Sequence, residues 1–319
     1  MASGNACSSA FNAMRILGYM HTFNDTDVID DTLRALCEQT YPIPEILIVD
    51  NASTDGTLQR SFPDQVTVII HDENLGTSGT VITGFQYAIA HNYDWIYLLD
   101  ADSQPQKDAV EKLIGLYKSL SPTLQEKTWW LGSLPKEARG NHVHHGAVFT
   151  PSGVHMVHPE PEQTYYECHT NMWTGSLYRL EAVQQVGLPD PDYVLDWGDV
   201  IYGYEGMVRG YKAFIHQQSI VLHNLHPMDT LQYLRFGARY VKVFYSSPIR
   251  FYYLWRNQTY FWLYKFQHRR FCRTFLPHFS MFLRWIIKTV LFLRHPTPIL
   301  RACLRGFWDG IRRDLHKRY

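Results

Sequence analysis

Residues 45–57 read EILIVDNASTDGT, a short apolar run followed at once by turn-forming residues. The apolar part is rich in Ile, Leu and Val, which is typical of a strand that is buried on both faces of a parallel sheet. The Asp, Asn, Ser, Thr and Gly residues after it favour a turn. The stretch therefore predicts a buried strand over 45–49 that delivers Asp50 and Asn51 to one edge of a sheet.

The same alternation continues on both sides of this stretch. Further strands are predicted over 15–19, 66–70 and 95–99, and helices over 25–39, 80–91 and 108–120. We expect Asp25 or Thr26 to cap the first helix. Strands that alternate with helices of this length predict a mainly parallel sheet covered by helices on both faces. Ligands bind such sheets at the carboxyl ends of the strands.

The formal charge of zero hides a strong asymmetry along the chain. Residues 250–319 hold 15 Lys and Arg against two acids, whereas residues 1–249 hold 15 Lys and Arg against 28 acids. A basic tail of this size favours an anionic partner. The five cysteines show no C-x-x-C spacing, which argues for thiols in a reducing compartment. We expect neither a signal peptide nor a membrane-spanning segment.

Several motifs occur in one order, each after its own predicted strand. They are IVDNASTDGT (48–57), N-L-G (74–76), D-A-D (100–102), DWGDVIYGYEGMVRGYK (196–212) and VLHNLH (221–226). In this order and spacing the chain resembles glycosyltransferase family two over roughly residues 14–226. YYLWRNQTYF (252–261) and RGFWDG (305–310) look like the tail of the rhamnosyltransferase-like branch of that family.

The resemblance implies a GT-A fold, a Rossmann-like α/β domain with a mainly parallel sheet flanked by helices. It places a nucleotide-sugar-binding and catalytic domain at 1–226 and a basic, helical, membrane-associating region at 227–319. The implied activity is inverting transfer of a sugar from a dTDP- or UDP-sugar to a saccharide. We expect this acceptor to be lipid-linked, in cell-surface polysaccharide synthesis.

The resemblance also implies a donor site with a metal. Asp102 would contact Mg²⁺ or Mn²⁺, and Asp100 would contact the ribose or the water molecules on the metal. A divalent cation acts as a Lewis acid that stabilises a departing diphosphate. His223 is the favoured third ligand, with His226 as its alternative. The competing interpretation of the D-A-D motif is a solvated acidic turn.

Three further residues are assigned to the donor by the resemblance. Asp50 would recognise the nucleoside through hydrogen bonds. Thr22 and Asn74 are expected to line the same cleft, unless they only cap backbone groups. Asp55 is expected to shape the turn rather than to bind.

Asp199 is the predicted catalytic base, because the family carries an acid 12 residues before the aromatic residue at Tyr211. A carboxylate there can take the proton of the attacking hydroxyl. The chain departs from the family pattern with Gly198 in place of a Glu and with Glu205 where a basic residue is common. Asp196 is the rival base, and a helix N-cap is the structural alternative for Asp199.

Other residues are expected on the acceptor side. Trp173 and Trp197 suit stacking on sugar faces, and core packing explains them equally well. Six histidines are crowded between 141 and 169, namely His142, His144, His145, His155, His158 and His169. Zinc is conceivable there, but no zinc motif accompanies them, and we expect surface loops near the acceptor.

The tail predicts two amphipathic helices. The first helix has a narrow polar stripe on an otherwise apolar surface, formed by Ser280, Arg284 and Lys288. The second helix has an apolar face, formed by Leu300, Leu304, Phe307, Ile311 and Leu315. Basic residues interleaved with aromatic and aliphatic ones favour an anionic membrane surface over nucleic acid. We expect five side chains to enter the lipid: Phe282, Trp285, Ile286, Phe307 and Trp308. The alternative is packing on the catalytic domain or on a second copy of the chain. The predicted location is cytoplasmic, on the inner face of the membrane.

Two rival functions fit the sequence less well. A sugar-nucleotide pyrophosphorylase needs a Gly-rich, Arg-containing loop after the first strand, and residues 18–25 read GYMHTFND. A scaffold with a decayed site is disfavoured because both acids of the D-A-D motif and Asp199 are present.

Overall fold

The structure is a computed structural model. It describes residues 14–138, 142–151, 153–223, 231–236, 239–244, 247–266, 271–293, 296–316 and 319. The first elements are β1 (Ile16–Thr22), α1 (Ile29–Cys37), β2 (Glu45–Asp50), β3 (Val66–Ile70), α2 (Gly76–Ala90), β4 (Trp95–Asp100), β5 (Ser103–Pro105), α3 (Ala109–Ser119) and α4 (Pro122–Lys127).

The remaining elements complete the sheet and form the C-terminal region. They are β6 (Thr128–Glu137), β7 (Ala147–Thr150), β8 (Gly153–Met156), β9 (Tyr165–Cys168), β10 (Ser176–Arg179), α5 (Leu180–Val186), α6 (Gly198–Val208), β11 (Lys212–His223), β12 (Leu231–Phe236), β13 (Arg239–Phe244), α7 (Pro248–Tyr260), α8 (Phe271–Phe292) and α9 (Pro296–Arg312). A π-helical turn, Phe261–Lys265, extends α7.

The central sheet has the order β3-β2-β1-β4-β10-β6-β11-β5, with β9 beside β11. Strands β3, β2, β1 and β4 are parallel, as predicted, and β6 is parallel to β11. Strand β10 runs antiparallel between the two parallel groups. The fold is thus of the predicted α/β class. Its sheet is parallel in the strands β3, β2, β1 and β4, which the sequence motifs follow.

Two buried apolar clusters cover the sheet, and alternate residues of each strand belong to different clusters. Leu17 and Tyr19 of β1 belong to one cluster, and Ile16 and Met20 belong to the other. Because successive side chains of a strand point to opposite faces, the two clusters lie on opposite sides of the sheet. The prediction of a sheet covered on both faces is confirmed.

Two predicted helix starts are wrong. Helix α1 begins at Ile29 with Val28 at its N-cap, and not at Asp25 or Thr26. Helix α2 begins at Gly76, four residues before the predicted start. Gly76 has a φ of +74°, and a Cβ there would lie 2.1 Å from the carbonyl oxygen of Val194. Only glycine allows this close approach between the start of α2 and the segment before α6.

The C-terminal region is not entirely helical, which corrects the prediction for 227–319. It contains the antiparallel hairpin of β12 and β13 before α7, α8 and α9. Helices α7 and α9 pack closely because Gly306 and Gly310 have no side chains. A Cβ at Gly306 would lie 2.2 Å from the carbonyl oxygen of Tyr252, and a Cβ at Gly310 would lie 2.5 Å from the carbonyl oxygen of Arg256. In the described part of the chain, none of the helices combines the length and the hydropathy needed to cross a membrane.

The predicted lipid-facing side chains of the tail are mostly turned inward. Phe282 and Phe307 are buried, and Trp285 and Ile286 pack against the same cluster. Of the five, Trp308 is exposed, at 52%. The hydrophobic side that the sequence assigned to lipid is used instead to hold α8 and α9 against α7.

Candidate active site

The acidic strand ends meet at one edge of the sheet. In the strand register Thr22 is beside Asp50, and His21 is beside Asp100. A cavity of about 690 Å³ opens along this edge and is lined by Asp100 and Asp102 among others. A smaller cavity of about 180 Å³ adjoins it through shared residues that include Asp100. The prediction that the polar residues after the strands converge is confirmed.

Asp100, Asp102 and His223 form a cluster that fits a divalent cation. Each offers one ligand atom, and these atoms lie within 4.8 Å of one another. Asp102 Oδ1 is 3.4 Å from His223 Nδ1, which lies 2.8 Å from Ser103 Oγ. Carboxylate oxygens with one imidazole suit a cation such as Mn²⁺. His226, the alternative ligand, lies outside the described residues.

The short strand β5 brings His223 to the acidic motif. Directly after Asp102, β5 pairs with the end of β11, and Ser103 is the register partner of His223. The sequence pattern does not predict this three-residue strand, because so short a polar segment has no periodicity. The signal was nevertheless present, since the strand follows the D-A-D motif without any intervening residue.

Asp50 ends β2 but is not among the residues that line either cavity. Asp50 is buried, its Oδ2 accepts the N–H of Ser53, and its Oδ1 has no hydrogen-bond partner among the described residues. Asn51 and Asn74 line the larger cavity, and the amide of Asn51 donates to Asn74 Oδ1 at 2.8 Å. Asn74 Oδ1 also accepts the N–H of Gly76. Asn74 therefore combines the two roles that the sequence left open, lining and capping.

Thr22 does not line either cavity, contrary to the prediction. Its side chain is fully buried, and its hydroxyl donates to Asp25 Oδ2 at 3.0 Å. Strand alternation explains the error, since the neighbours His21 and Phe23 reach the cavity where Thr22 does not. Asp55 shapes the turn as expected, and hydrogen bonds from Thr57 lower its pKa.

Asp199 lies in the first turn of α6 and lines the smaller cavity. The N-cap of this helix is Trp197, so the interpretation of Asp199 as the cap is wrong. Burial raises the pKa of Asp199 to about 7, and the nearby charges of Asp196 and Asp100 act in the same direction. A carboxyl group with a pKa near 7 is suited to exchange protons at physiological pH.

Gly198 explains the departure from the family pattern. A Cβ at this position would lie 2.6 Å from Ser78 Oγ. A glutamate would therefore displace the Ser78 hydroxyl, which donates to the carbonyl of Tyr193. The chain has an acid at position 199, and the absence of a side chain at Gly198 lets the start of α6 pack closely against Ser78 of α2.

Asp196 also lines the smaller cavity, but its carboxylate is engaged by Arg250 of α7. Arg250 Nη2 lies 3.0 Å from Asp196 Oδ1, and Arg250 lines both cavities. The side-chain amide of Asn257 donates to the carbonyls of Leu195 and Asp196 at 2.9 and 2.8 Å. Asp196 has a φ of +56°, a strained conformation for a residue with a side chain. Helix α7 thus stabilises the strained loop before Asp199.

Arg250 and Asn257 are site residues that the sequence analysis did not find. They are 54 and 61 residues away from Asp196 in the chain. The tail motif at 252–261 contains Asn257 and was the available signal, but it was interpreted only as a family resemblance.

The two tryptophans lie at the smaller cavity and also pack inside the fold. Trp173 is buried, with its ring centre 5.6 Å from that of Tyr202. Trp197 is partly buried, 5.7 Å from Phe261. Both line the cavity, so packing and contact with a ligand are compatible for these two residues.

The histidine-rich stretch is more ordered than predicted. It includes β7, β8 and β9, and His169 Nδ1 accepts the N–H of Phe149 at 2.9 Å. Glu137, His142 and His144 bring one ligand atom each to within 4.8 Å of one another. The expectation of surface loops is therefore wrong for part of the stretch, because strand pairing arranges these side chains.

Comparisons with solved structures identify the fold. A structure of S. aureus TarS in complex with UDP is 14% identical, with a TM-score of 0.57, and the match covers 95% of this chain and 82% of that one. A structure of GalNAc-T7 with UDP, GalNAc and Mn²⁺ is 16% identical, with a TM-score of 0.56, covering 68% and 44%. At these identities the likeness is one of fold. The chain has the GT-A fold of glycosyltransferases.

The sequence comparisons find similar proteins for part of the chain. Residues 19–127 of the 319-residue chain match the model described as glycosyl transferase family 2. An undecaprenyl-phosphate mannosyltransferase of Micrococcus luteus is 27% identical over 142 residues, which cover 38% of this chain and 58% of that protein. A poly-beta-1,6-N-acetyl-D-glucosamine synthase of Staphylococcus aureus is 25% identical over 210 residues, covering 60% and 45%. The chain spans about half the length of these curated relatives.

Proposed function

We propose that the chain transfers a sugar from a nucleotide-sugar donor to a saccharide acceptor with inversion at the anomeric carbon. The observation that carries the proposal is the convergence of Asp100, Asp102 and His223 beside a cavity that leads to Asp199. Relatives named for mannosyl transfer and polysaccharide synthesis, and fold neighbours solved with UDP, support a donor of this class. UDP-sugars are the first candidates, with dTDP-deoxysugars as the alternative from the tail motifs.

The residues at the strand ends would bind the donor diphosphate and nucleoside. Asp102 and His223 would hold Mg²⁺ or Mn²⁺, with Asp100 beside them, and the Mn²⁺ in one fold neighbour supports this choice. The cation, when bound, supplies a Lewis acid for the leaving diphosphate. Asp50 has an unpartnered buried oxygen that suits an N–H of the base or a ribose hydroxyl. The guanidinium of Arg250 adds positive charge to the lining of the larger cavity.

Asp199 would accept the proton of the attacking hydroxyl. Its carboxyl lies in the smaller cavity, where Trp173 and Trp197 suit the apolar face of an acceptor sugar. Asp196 is the weaker candidate because its carboxylate is engaged by Arg250 and its backbone by Asn257. A base that is already paired with a guanidinium must break that pair before it takes a proton.

The tail would hold the enzyme on an anionic membrane surface, though not through the face that the sequence indicated. The outward face of α8 exposes apolar side chains beside Arg284 and Lys288: Leu276, Met281, Leu283, Ile287, Val290 and Leu291. On α9, Leu304 and Trp308 are exposed beside Arg301, Arg305 and Arg312. Exposed apolar groups next to cations suit the headgroup region of a bilayer. This location would favour a lipid-linked acceptor.

A donor screen tests the transferase proposal. Purified protein with Mn²⁺ or Mg²⁺ is mixed with a panel of UDP-, dTDP- and GDP-sugars, and release of nucleoside diphosphate is measured. We expect release from one nucleotide class, stimulated by the acceptor and abolished by excess chelator. Asp102→Ala should lose donor-dependent activity. Full activity in chelator would refute the metal assignment, and no release with any donor would refute the transferase proposal for this chain alone.

Co-sedimentation with vesicles tests the membrane proposal separately. The double variant Leu283→Ser and Ile287→Ser should bind phosphatidylserine-containing vesicles several-fold less than the unaltered chain. Ile70→Ser is the control, because Ile70 at the carboxyl end of β3 is an exposed apolar residue outside the tail. Binding should weaken in salt, which screens charges over about 8 Å at physiological ionic strength. If the intact protein stays in the supernatant at low salt, the exposed face is better explained by contact between two copies of the chain.

A further inference from the structure

A second cluster of metal-binding side chains lies outside the proposed donor site. After β6 the chain turns back on itself, and Lys136 and Val143 form an antiparallel bridge. The N–H of Glu137 donates to the carbonyl of His142 at 3.0 Å, and the N–H of His144 donates to that of Pro135 at 2.9 Å. Residues directly opposite on paired strands, and residues two apart on one strand, share a face. Glu137, His142 and His144 therefore point to the same side.

The side chains converge as this pairing requires. Their three ligand atoms lie within 4.8 Å of one another, and the rings of His142 and His144 are 4.7 Å apart at 86°. His144 is partly buried, and its Nε2 has no hydrogen-bond partner within the described residues. A buried polar nitrogen without a partner is unfavourable, and coordination of a cation would remove that cost. Val143, on the opposite face, packs against the main core.

We propose that Glu137, His142 and His144 bind a divalent transition metal, with Zn²⁺ as the favoured ion. Two imidazoles and one carboxylate are a recognised donor set for zinc, with a water molecule in the fourth position. The donor cluster differs, because two carboxylates and one imidazole favour the harder Mg²⁺ or Mn²⁺. The chain would therefore hold two metals of different chemistry, without sharing a ligand.

An ion at this second site would stabilise the edge of the sheet that carries the donor cluster. Glu137 is the register partner of His223 across β6 and β11, and the N–H of Ala138 donates to the carbonyl of His223 at 3.1 Å. An ion on Glu137 would tie residues 135–137 and the paired residues 142–144 into one unit beside His223. The sequence signal was His-x-His with a glutamate five residues before it, which is shorter than the zinc motifs sought in the sequence analysis.

Zinc competition on the tag-free, metal-stripped full chain tests the site. Zn²⁺ is titrated against a chromogenic chelator, and Co²⁺ is added separately as a spectroscopic probe of four-coordinate geometry. We expect one tight Zn²⁺ equivalent with intense visible Co²⁺ bands. His142→Ala should weaken this equivalent by more than the roughly 10–100-fold that loss of an outer-shell partner costs. Glu137→Gln, which preserves shape, should do the same.

Two controls separate this site from its neighbours. Asp102→Ala removes the donor cluster and should leave the tight Zn²⁺ equivalent intact. His158→Ala changes an exposed histidine of the same stretch, outside the cluster, and should have no effect. The proposal is overturned if the intact chain has no tight Zn²⁺ equivalent, or if Asp102→Ala removes it while Glu137→Gln does not. Circular dichroism of each variant shows that the loss is not a loss of fold.

Discussion

The sheet edge and the C-terminal helices were equally visible in the sequence, but only the first was interpreted correctly in space. Asp100 and Asp102 converge with His223 as expected. In the helices, Phe282 and Phe307 face the protein instead of the predicted membrane. A parallel sheet brings its strand ends together by topology, so a residue after a strand has a known position. An amphipathic helix has an apolar side, but its sequence does not say what covers that side.

The two regions are nevertheless physically connected. Arg250 and Asn257 of α7 contact the loop before Asp199, and Tyr252 of the same helix donates to Asp309 of α9 at 2.9 Å. The tail motifs at 252–261 and 305–310 therefore pair with each other. The tail is part of the site as well as a candidate membrane surface, which a boundary near residue 226 would not suggest.

The largest expected effect comes from the sheet-edge region itself. Asp199→Asn keeps the shape of the side chain and removes its basicity. We expect acceptor transfer to fall by about 10²–10⁴-fold, as for loss of a general base. Donor binding, measured by calorimetry, should stay nearly unchanged because Asp102 and His223 are intact. If Asp196→Asn is inactive while Asp199→Asn is near normal, the two assignments are reversed.

The second prediction tests whether α7 contributes to catalysis. Asn257→Leu removes two hydrogen bonds to the carbonyls of Leu195 and Asp196 and should let the loop relax. A small displacement of reacting groups can cost about 10²-fold in rate, so we expect kcat to fall by about 10- to 100-fold at temperatures where the variant is folded. Gln258→Leu is the matched control, since its amide oxygen has no partner within the described residues. Equal kcat values in the two variants would show that the hydrogen bonds from α7 to the loop before Asp199 do not support catalysis.

The residues that sequence reasoning found and missed differ in how their contacts arise. Asp100 and Asp102 were predictable because one strand and its end place them. His223 was predictable from family resemblance, but its contact with Asp102 depends on β5, which is too short to show a pattern. Asn257 acts across 61 residues of chain, and no local periodicity encodes such a contact. The error for Thr22 is of another kind. The end of its strand was predicted correctly, but its side chain is buried and does not face the cavity.

The third prediction concerns the packing of the tail motifs. Gly306→Ala would put a Cβ 2.2 Å from the carbonyl oxygen of Tyr252, so α9 must move away from α7. Overpacking of this kind costs about 1–3 kcal/mol, and thermal denaturation should show a lower Tm. Gly115→Ala in α3 is the matched control, because a Cβ there meets nothing within 4 Å. That variant should gain about 0.5–1 kcal/mol from helix propensity. A stable Gly306→Ala variant would mean that α7 and α9 are not tightly coupled.

The smallest expected effect is a shift in pH dependence, and it tests the electrostatic link between α7 and the base. Burial, helped by the charges of Asp196 and Asp100, raises the pKa of Asp199 to about 7. Because the base acts when ionised, kcat/KM should rise with pH up to about 7 and then level off. Asp196→Asn removes one of the charges that oppose ionisation, and it also removes the charge that is paired with Arg250, whose positive charge favours ionisation. Both changes lower the pKa of Asp199, so the acid limb of the profile should move to lower pH. The shift should be less than about one pH unit, since Asp196 is a secondary cause beside burial. A limb that moves to higher pH, or one that persists unchanged in Asp199→Asn, would show that another group controls the profile.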